Sequence, residues 1–281
     1  MLAGGGALGA WQAGFLERLC EAALPFGEAL AFSIGSLNGA AYCCGRLGRV
    51  VELWRNLSAE RVFALDLRLR PLSVFSNLPL HRLAARLGDD AAARRAFALP
   101  LSVVSVSRRD GRRLYARFAP EGRGPWDAPL AAHLAASCAI PVILPPVTLD
   151  YRGRRLRLVD GGVWSPEPMH FLSLARCRDV VVLEMIREEE MGRRPWGPIA
   201  AREQRGRELC FETVSDGIDS LLGLSDPPRV FRAAPSRVLD FSFLGFFERN
   251  TRPALGLGRR DAEAFLADPS RSLASRRPPG P

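Results

Sequence analysis

Three short segments of this chain hold residues whose types and spacing could do chemistry. The first is Gly4-Gly5-Gly6-Ala7-Leu8-Gly9. Glycines let a backbone turn sharply and bring N–H groups up to a ligand without side-chain hindrance. At the start of a helix, where donors are unpaired and the dipole is positive, such a loop can hold an anion. That anion could be a phosphate or an oxyanion developing during a reaction. The spacing alone also describes a plain glycine turn. A dinucleotide site further wants a full strand before the loop and an acid at the end of a second strand. Neither Glu21 nor Glu28 sits convincingly at such a strand end.

The second segment is Ala31-Phe32-Ser33-Ile34-Gly35. An apolar run leads to a serine and then to small residues, the context of a nucleophile elbow. The serine of an elbow takes a strained turn, so the positions two before and two after it must be small. Gly35 meets that need; Ala31 stands where glycine is usual, a departure of one methyl. Ser33 could instead be a helix N-cap. Ser36 is a rival nucleophile, but Gly35 precedes it directly and the spacing is wrong. The third segment is Leu158-Val159-Asp160-Gly161-Gly162, an acid leaving a strand into a glycine turn. Asp160 could point into a site at the carboxyl edge of a sheet and take a proton from Ser33. A carboxylate becomes a useful base when partly desolvated. Asp-Gly is also an ordinary turn pair.

The elements that must position these residues follow from periodicity. Met1–Ala3 reads as the end of a strand. A helix starts at Gly9, with Trp11, Phe15 and Leu19 at spacing four, and stops by Pro25. Ala29–Phe32 suits a buried parallel strand, and Gly35–Cys44 a small-residue helix. Helices are predicted over Val50–Leu57, His81–Leu87, Asp90–Phe97 and Leu130–Ser137. Leu101–Ser107 with Arg113–Phe118, and Val147–Tyr151 with Arg154–Val159, read as hairpins. Val180–Glu184 is a further buried strand. Arg202–Leu222 and Arg259–Ala267 are the last helices. The alternation of strands and helices predicts an α/β fold.

Taken together and in order, the three segments resemble the patatin-like phospholipase family, whose motifs run G-x-G-x-x-G, G-x-S-x-G and D-G-[GA]. The likeness extends to Gly6–Gly14, to Ser33–Ala41, and to Ala136–Pro141 with Pro145-Pro146-Val147. It covers residues 1 to about 185, with Arg259–Phe265 similar to a closing helix. The resemblance implies a three-layer α/β/α sandwich with a mostly parallel central sheet. It implies a Ser–Asp dyad, Ser33 attacking an ester carbonyl and Asp160 acting as its base. It implies an oxyanion hole from the N–H groups of Gly4, Gly5 and Gly6, supported by Gly9, Ala31, Gly35, Gly161 and Gly162. No metal and no organic cofactor is implied. The substrate would be a lipid ester. An acyltransferase on the same dyad, or a non-catalytic lipid-binding protein keeping the fold, are the alternatives. Two positions depart from the family pattern: Leu8 stands where many relatives carry arginine, and Ala31 replaces a glycine. Phe75–Arg86 and Trp164–Phe171 are candidate walls for an acyl chain. Only three residues precede the glycine loop, against about five or six in a usual strand. The first strand is therefore short, or begins in residues outside this sequence.

Composition bounds the rest. The 281 residues are 47% hydrophobic and carry a formal charge of +9. Every basic side chain is arginine. Such a charge draws a protein toward anionic membranes or nucleic acid. Nucleic acid is the weaker partner, because no metal-finger, aromatic or base-reading helix pattern accompanies the charge. The six cysteines form no C-x-x-C pair, and several lie in apolar runs, as in a reduced, cytoplasmic protein. The three histidines show no metal-binding spacing. The start lacks the basic region of a signal peptide. The uncharged stretch Ala128–Leu149 is broken by Pro129, Pro141, Pro145 and Pro146, so no transmembrane helix is predicted. One domain over residues 1–269 with a basic, disordered tail at 270–281 is expected.

Overall fold

A computed structural model describes residues 1–57, 64–69, 72–86 and 89–275. A 3₁₀ turn, Gly6–Leu8, runs into α1 (Gly9–Glu21), followed by β1 (Ala29–Phe32), α2 (Ile34–Cys43) and α3 (Leu47–Arg55). Next come β2 (Ala64–Leu69), β3 (Leu72–Ser76), α4 (Leu78–Ala85), α5 (Asp90–Ala96), β4 (Leu101–Ser107) and β5 (Arg113–Phe118). Then follow α6 (Leu130–Ser137), β6 (Val147–Tyr151), β7 (Arg154–Asp160), β8 (Asp179–Leu183), α7 (Pro198–Leu222), β9 (Arg229–Ala233) and α8 (Glu248–Ala267).

Strand β4 organises the sheet. Its whole length pairs antiparallel with β5 along one edge, from Leu101 opposite Phe118 to Val106 opposite Arg113. On the other edge, β1 pairs parallel with the first half, Ala29 beside Leu101 and Phe32 beside Val104. Strand β7 pairs antiparallel with the second half, Asp160 opposite Ser105. Strands β1 and β7 therefore lie end to end, and their carboxyl ends meet between Val104 and Ser105. Beyond β1, Leu2 forms parallel bridges to both Ala31 and Leu183. Three residues, Met1–Ala3, thus join the parallel pair β8–β9 to the rest. The sheet is parallel through β4, β1, Met1–Ala3, β8 and β9, with β5, β7 and β6 making its antiparallel part.

Side chains of a strand alternate between faces, so each face needs its own cover. Ala29 and Ala31 pack with α1, α2 and α8 in one core; Leu30 and Phe32 pack with Met169, Phe171 and the Val214–Leu221 face of α7 in the other. This is the expected three-layer α/β/α sandwich. Strand β9 and the β2–β3 hairpin lie outside the sequence expectations. Helix α8 begins eleven residues before the predicted Arg259, carrying Pro253 inside it. Packing against α1 holds the helix together through residues with poor helix propensity. The segment expected as a tail starts with ordered contacts: Leu273 bridges Phe231, and Ala274 N donates to Val230 O at 2.8 Å. Residues 276–281 lie outside the described residues.

The α1–α8 crossing fixes the helix that follows the glycine loop. A Cβ on Gly258 would sit 1.9 Å from Trp11 O, and one on Gly14 would sit 2.1 Å from Leu255 O. Only backbone faces backbone there, so neither clash can be relieved by a side-chain turn. Trp11 Nε1 adds a 2.7 Å hydrogen bond to Asp261. Replacing Gly258 by alanine should therefore separate the helices, at a cost of about 1–3 kcal/mol. Urea denaturation should show a lower midpoint with an unchanged slope. A midpoint equal to wild type would mean that the crossing is looser than described.

Candidate active site

Ser33 sits where β1 turns into α2, with φ 53° and ψ −137°. Such a conformation is costly for a residue with a Cβ and persists only when its surroundings dictate it. Here they do. Ser33 N donates to Ser137 Oγ at 2.9 Å, and Ser137 Oγ donates to Val104 O at 2.6 Å. Ser36 Oγ donates to Ser33 O at 2.7 Å, so the rival serine supports the turn and does not occupy it. Gly35 packs against the first strand segment, where a Cβ would lie 2.4 Å from Ala3 O. The extra methyl of Ala31 points toward Gly39, whose missing side chain leaves room for it. Ser33 is positioned at the N-cap of α2, yet its hydroxyl makes no capping bond. It points instead to Asp160.

Ser33 Oγ donates to Asp160 Oδ2 at 2.6 Å, across 127 residues of sequence. Asp160 Oδ1 accepts from Gly162 N at 2.7 Å, and Asp160 N donates to Ala139 O at 3.0 Å. Both side chains are buried. Burial pushes the Asp160 carboxyl up to about 6, offset in part by the Ser33 and Gly162 hydrogen bonds and by the Arg113 charge. Arg113 lies at the start of β5 and donates to Gly161 O and Glu167 O. Nothing local in the sequence singles Arg113 out, since it is one arginine among many and meets Gly161 only through the sheet. Among the described residues no histidine bonds to either member of the pair: His133 packs against Phe118 and Tyr151, and His170 stacks on Tyr115.

The glycine loop lies directly beside this pair. A Cβ on Gly4 would come within 2.8 Å of Ser33 Cβ. Gly6 has φ +53°, and a Cβ there would lie 2.3 Å from Phe243 O, which accepts from Ala7 N at 2.8 Å. Among the described residues, the N–H groups of Gly4, Gly5 and Gly6 have no acceptor. A buried polar chain holds the loop. Gln12 Nε2 donates to Ala3 O at 3.2 Å and Leu183 O at 3.1 Å. Asn38 Nδ2 donates to Gln12 Oε1 at 3.1 Å and Gly9 O at 3.0 Å, while Trp54 Nε1 donates to Asn38 Oδ1 at 3.2 Å. From the other side, Arg207 donates to Phe241 O at 2.7 Å and pairs with buried Glu190, fixing the segment that carries Phe243. Gln12 and Asn38 lie in segments that carry the resemblance, but their roles, like those of Trp54, Arg207 and Phe243, escaped sequence reading, because each acts through contacts distant in the chain.

A narrow cavity of about 90 Å³ opens at Ser33 between α3, α4 and the segment carrying Leu244 and Phe246. Its walls are aliphatic and aromatic, with Leu53, Trp54, Leu80, Leu83, Ile143 and Phe246 among them. The expected wall at Phe75–Arg86 thus contributes Leu80 and Leu83. The expected wall at Trp164–Phe171 does not reach the cavity: Met169 and Phe171 fill the core on the other face of the sheet, and Trp164 is 67% exposed. Its apolar residues serve the second core, which a linear apolar pattern does not distinguish from a ligand wall.

A model of the patatin-like phospholipase family matches residues 1–172. The chain belongs to the patatin-like phospholipase family. The crystal structure of VipD from Legionella pneumophila superposes with a TM-score of 0.51 at 12% sequence identity, over 95% of this chain and 66% of that one. At that identity the likeness speaks for the fold. This chain spans just under two thirds of VipD. No curated protein matches.

Two stability measurements check this geometry. Ser33→Ala and Ser33→Gly both remove the bond to Asp160, so their difference isolates the backbone. Glycine should be the more stable by about 1 kcal/mol, strain relief exceeding its unfolded-state entropy. Equal stabilities would mean that the turn is unstrained. For Asp160, the folded value of about 6 lies above the ordinary 3.8. Folding therefore favours the protonated acid. The stability associated with it is present below pH 3.8 and is lost as pH rises through about 6. The loss approaches roughly 3 kcal/mol at neutral pH. Asp160→Asn carries no charge and should be more stable than wild type at pH 7, the gap closing by about pH 4. Thermal melts across that range decide it; a gap independent of pH would contradict the burial.

Proposed function

We propose that the protein hydrolyses carboxylic esters of lipids through an acyl-enzyme on Ser33, with Asp160 as base. The observation that carries this reading is the 2.6 Å hydrogen bond from the Ser33 hydroxyl to a buried carboxylate, at the mouth of an apolar slot. The carboxylate takes the hydroxyl proton as Oγ attacks the ester carbonyl carbon. Desolvation raises its basicity above that of a carboxylate in water, which suits it to the task near neutral pH. The negative charge that develops on the carbonyl oxygen is met by the unpaired N–H groups of Gly4, Gly5 and Gly6. Asp160 then passes its proton to the departing alcohol oxygen. Water, deprotonated by the same carboxylate, attacks the acyl carbon; the acyl–Oγ bond breaks, Asp160 returns the proton to Ser33 Oγ, and the fatty acid is freed. The slot takes the acyl chain, because its lining offers almost no polar partner to a headgroup. The phospholipid, lysophospholipid and glyceride classes all fit this scheme.

Hydrolysis of a medium-chain p-nitrophenyl ester tests the reading. Wild type should be active, and Ser33→Ala and Asp160→Asn should each lose on the order of 10⁴-fold in kcat/KM while remaining folded. A fluorophosphonate should label Ser33 in wild type. The base must be ionised, so kcat/KM should climb as pH rises through about 6 and fall away below it. Undiminished activity in Ser33→Ala would assign the nucleophile elsewhere.

A further inference from the structure

Trp54 of α3 belongs to the slot and to the glycine loop at once. Its indole lines the slot and stacks on Phe246, another lining residue, with the ring planes 12° apart. The same ring reaches the end of the loop: a Cβ on Gly9 would lie 3.3 Å from Trp54 Cζ2. Its N–H donates to Asn38 Oδ1 at 3.2 Å. The backbone beneath is tied to α8, since Thr251 Oγ1 donates to Trp54 O at 2.9 Å. A push on the indole is therefore taken up by the side chain and by what it is bonded to.

The chemistry of the bonds gives that link a direction. An indole N–H can only donate. It fixes which end of the Asn38 amide faces it, Oδ1 toward Trp54 and Nδ2 toward Gly9 O and Gln12 Oε1. The Gln12 amide is fixed in turn, with Nε2 left for Ala3 O and Leu183 O. Those carbonyls can only accept, so the chain has one polarity from slot to loop. Ala3 precedes Gly4 and Gly9 follows Leu8, so the chain grips the glycine loop at both ends. Gln12, Asn38 and Trp54 are buried, and a partner lost there is not replaced by solvent. The N–H groups of the loop act on a developing oxyanion only when closely placed, and a misplacement of about 1 Å costs on the order of a hundredfold in rate.

We propose that Trp54 is a positioning residue that couples the filling of the slot to the geometry of the glycine loop. An acyl chain lying along the indole confines it against Phe246. The confined indole holds Asn38, Asn38 holds Gln12, and the two amides hold the carbonyls of Ala3 and Gly9. Chain length is then expressed in the rate of the chemical steps and not only in binding, because contacts remote from the ester set the groups around it. A short ester leaves the indole loose and the loop less well set. The consequence for turnover rests on the ester-hydrolase reading; the mechanical link from slot to loop does not.

The test separates the two. Wild-type kcat should be on the order of tenfold higher on p-nitrophenyl octanoate than on p-nitrophenyl acetate. Trp54→Phe keeps an aromatic wall and loses the donor. It should hold KM for octanoate within about twofold while bringing the kcat ratio of the two esters close to one. Gln12 is not among the slot-lining residues, so Gln12→Leu leaves the walls alone and should flatten the ratio in the same way. The double variant should lose nothing further, as expected for two members of one chain. A wild-type ratio near one would overturn the proposal, as would a ratio that survives in either folded variant. A rise in KM for octanoate with kcat unchanged would make Trp54 a wall only and overturn it too. A wild type inert on both esters would refute the hydrolase reading, and the link is then read without turnover. With octanol as a bare chain in the slot, the amide resonances of Gly4, Gly5 and Gly6 in NMR spectra of glycine-labelled protein should move in wild type and stay in place in both variants. Equal movement in wild type and variants would report direct contact of octanol with the loop, and no movement in wild type would report no link; either overturns the proposal.

Discussion

The hydrogen bond between Ser33 and Asp160 depends on one constraint: two strands of opposite direction share an edge of β4 and stop at the same place. β1 climbs to Val104 and β7 descends to Ser105, so a serine after one strand meets an acid at the end of the other. Both residues leave the sheet where no ladder partner remains, which frees their side chains to face each other. The same geometry keeps water away, since sheet and helices surround the gap. Removal from water raises the carboxyl and makes its short contact to the serine hydroxyl count.

Around that contact the structure places donors that the pair lacks. Ser137 is an intermediary, accepting from the Ser33 amide and donating to β4, so the elbow is bonded to the strand that aligns it. The glycine loop is held from three sides, by the Gln12–Asn38–Trp54 chain, by the backbone of Phe243 and by contact with Phe32 and Ser33. The loop keeps its N–H groups free because its neighbours supply carbonyls to the residues on either side of them. Arg207 and Glu190, one buried pair beyond residue 172, hold the segment that presents Phe243. The part of the chain beyond the family match thus shapes the loop at its beginning.

The two cores divide the apolar residues by function. The core on the α1, α2 and α8 side continues into the slot through Ile34, Leu37 and Trp54. The core under α7 is closed, filled by Met169 and Phe171, and gives the sheet a rigid back. Among the described residues no helix is long and apolar enough to cross a membrane.

The sequence by itself determined the α/β alternation, the glycine loop, the small-residue elbow and the acid before two glycines. Each of these is local: a steric demand for a missing Cβ, or a period of two or 3.6, is written in adjacent residues. It also located α6 and both hairpins built around β4–β5 and β6–β7, whose turns carry their own signals. What only the tertiary structure decided is everything that needs two distant segments. Whether the Ser33 hydroxyl caps α2 or faces Asp160 turned on where β7 ends. Arg113, Gln12, Asn38 and Arg207 matter through partners between 17 and 48 residues away. Strand β9 and the first half of α8 are held by burial that overrides weak propensity. Trp164–Phe171 was apolar enough to line a ligand and instead fills a core. Hydrophobicity says that a residue seeks cover, and only the packed chain says whether that cover is its own core, a bound lipid or a surface outside it.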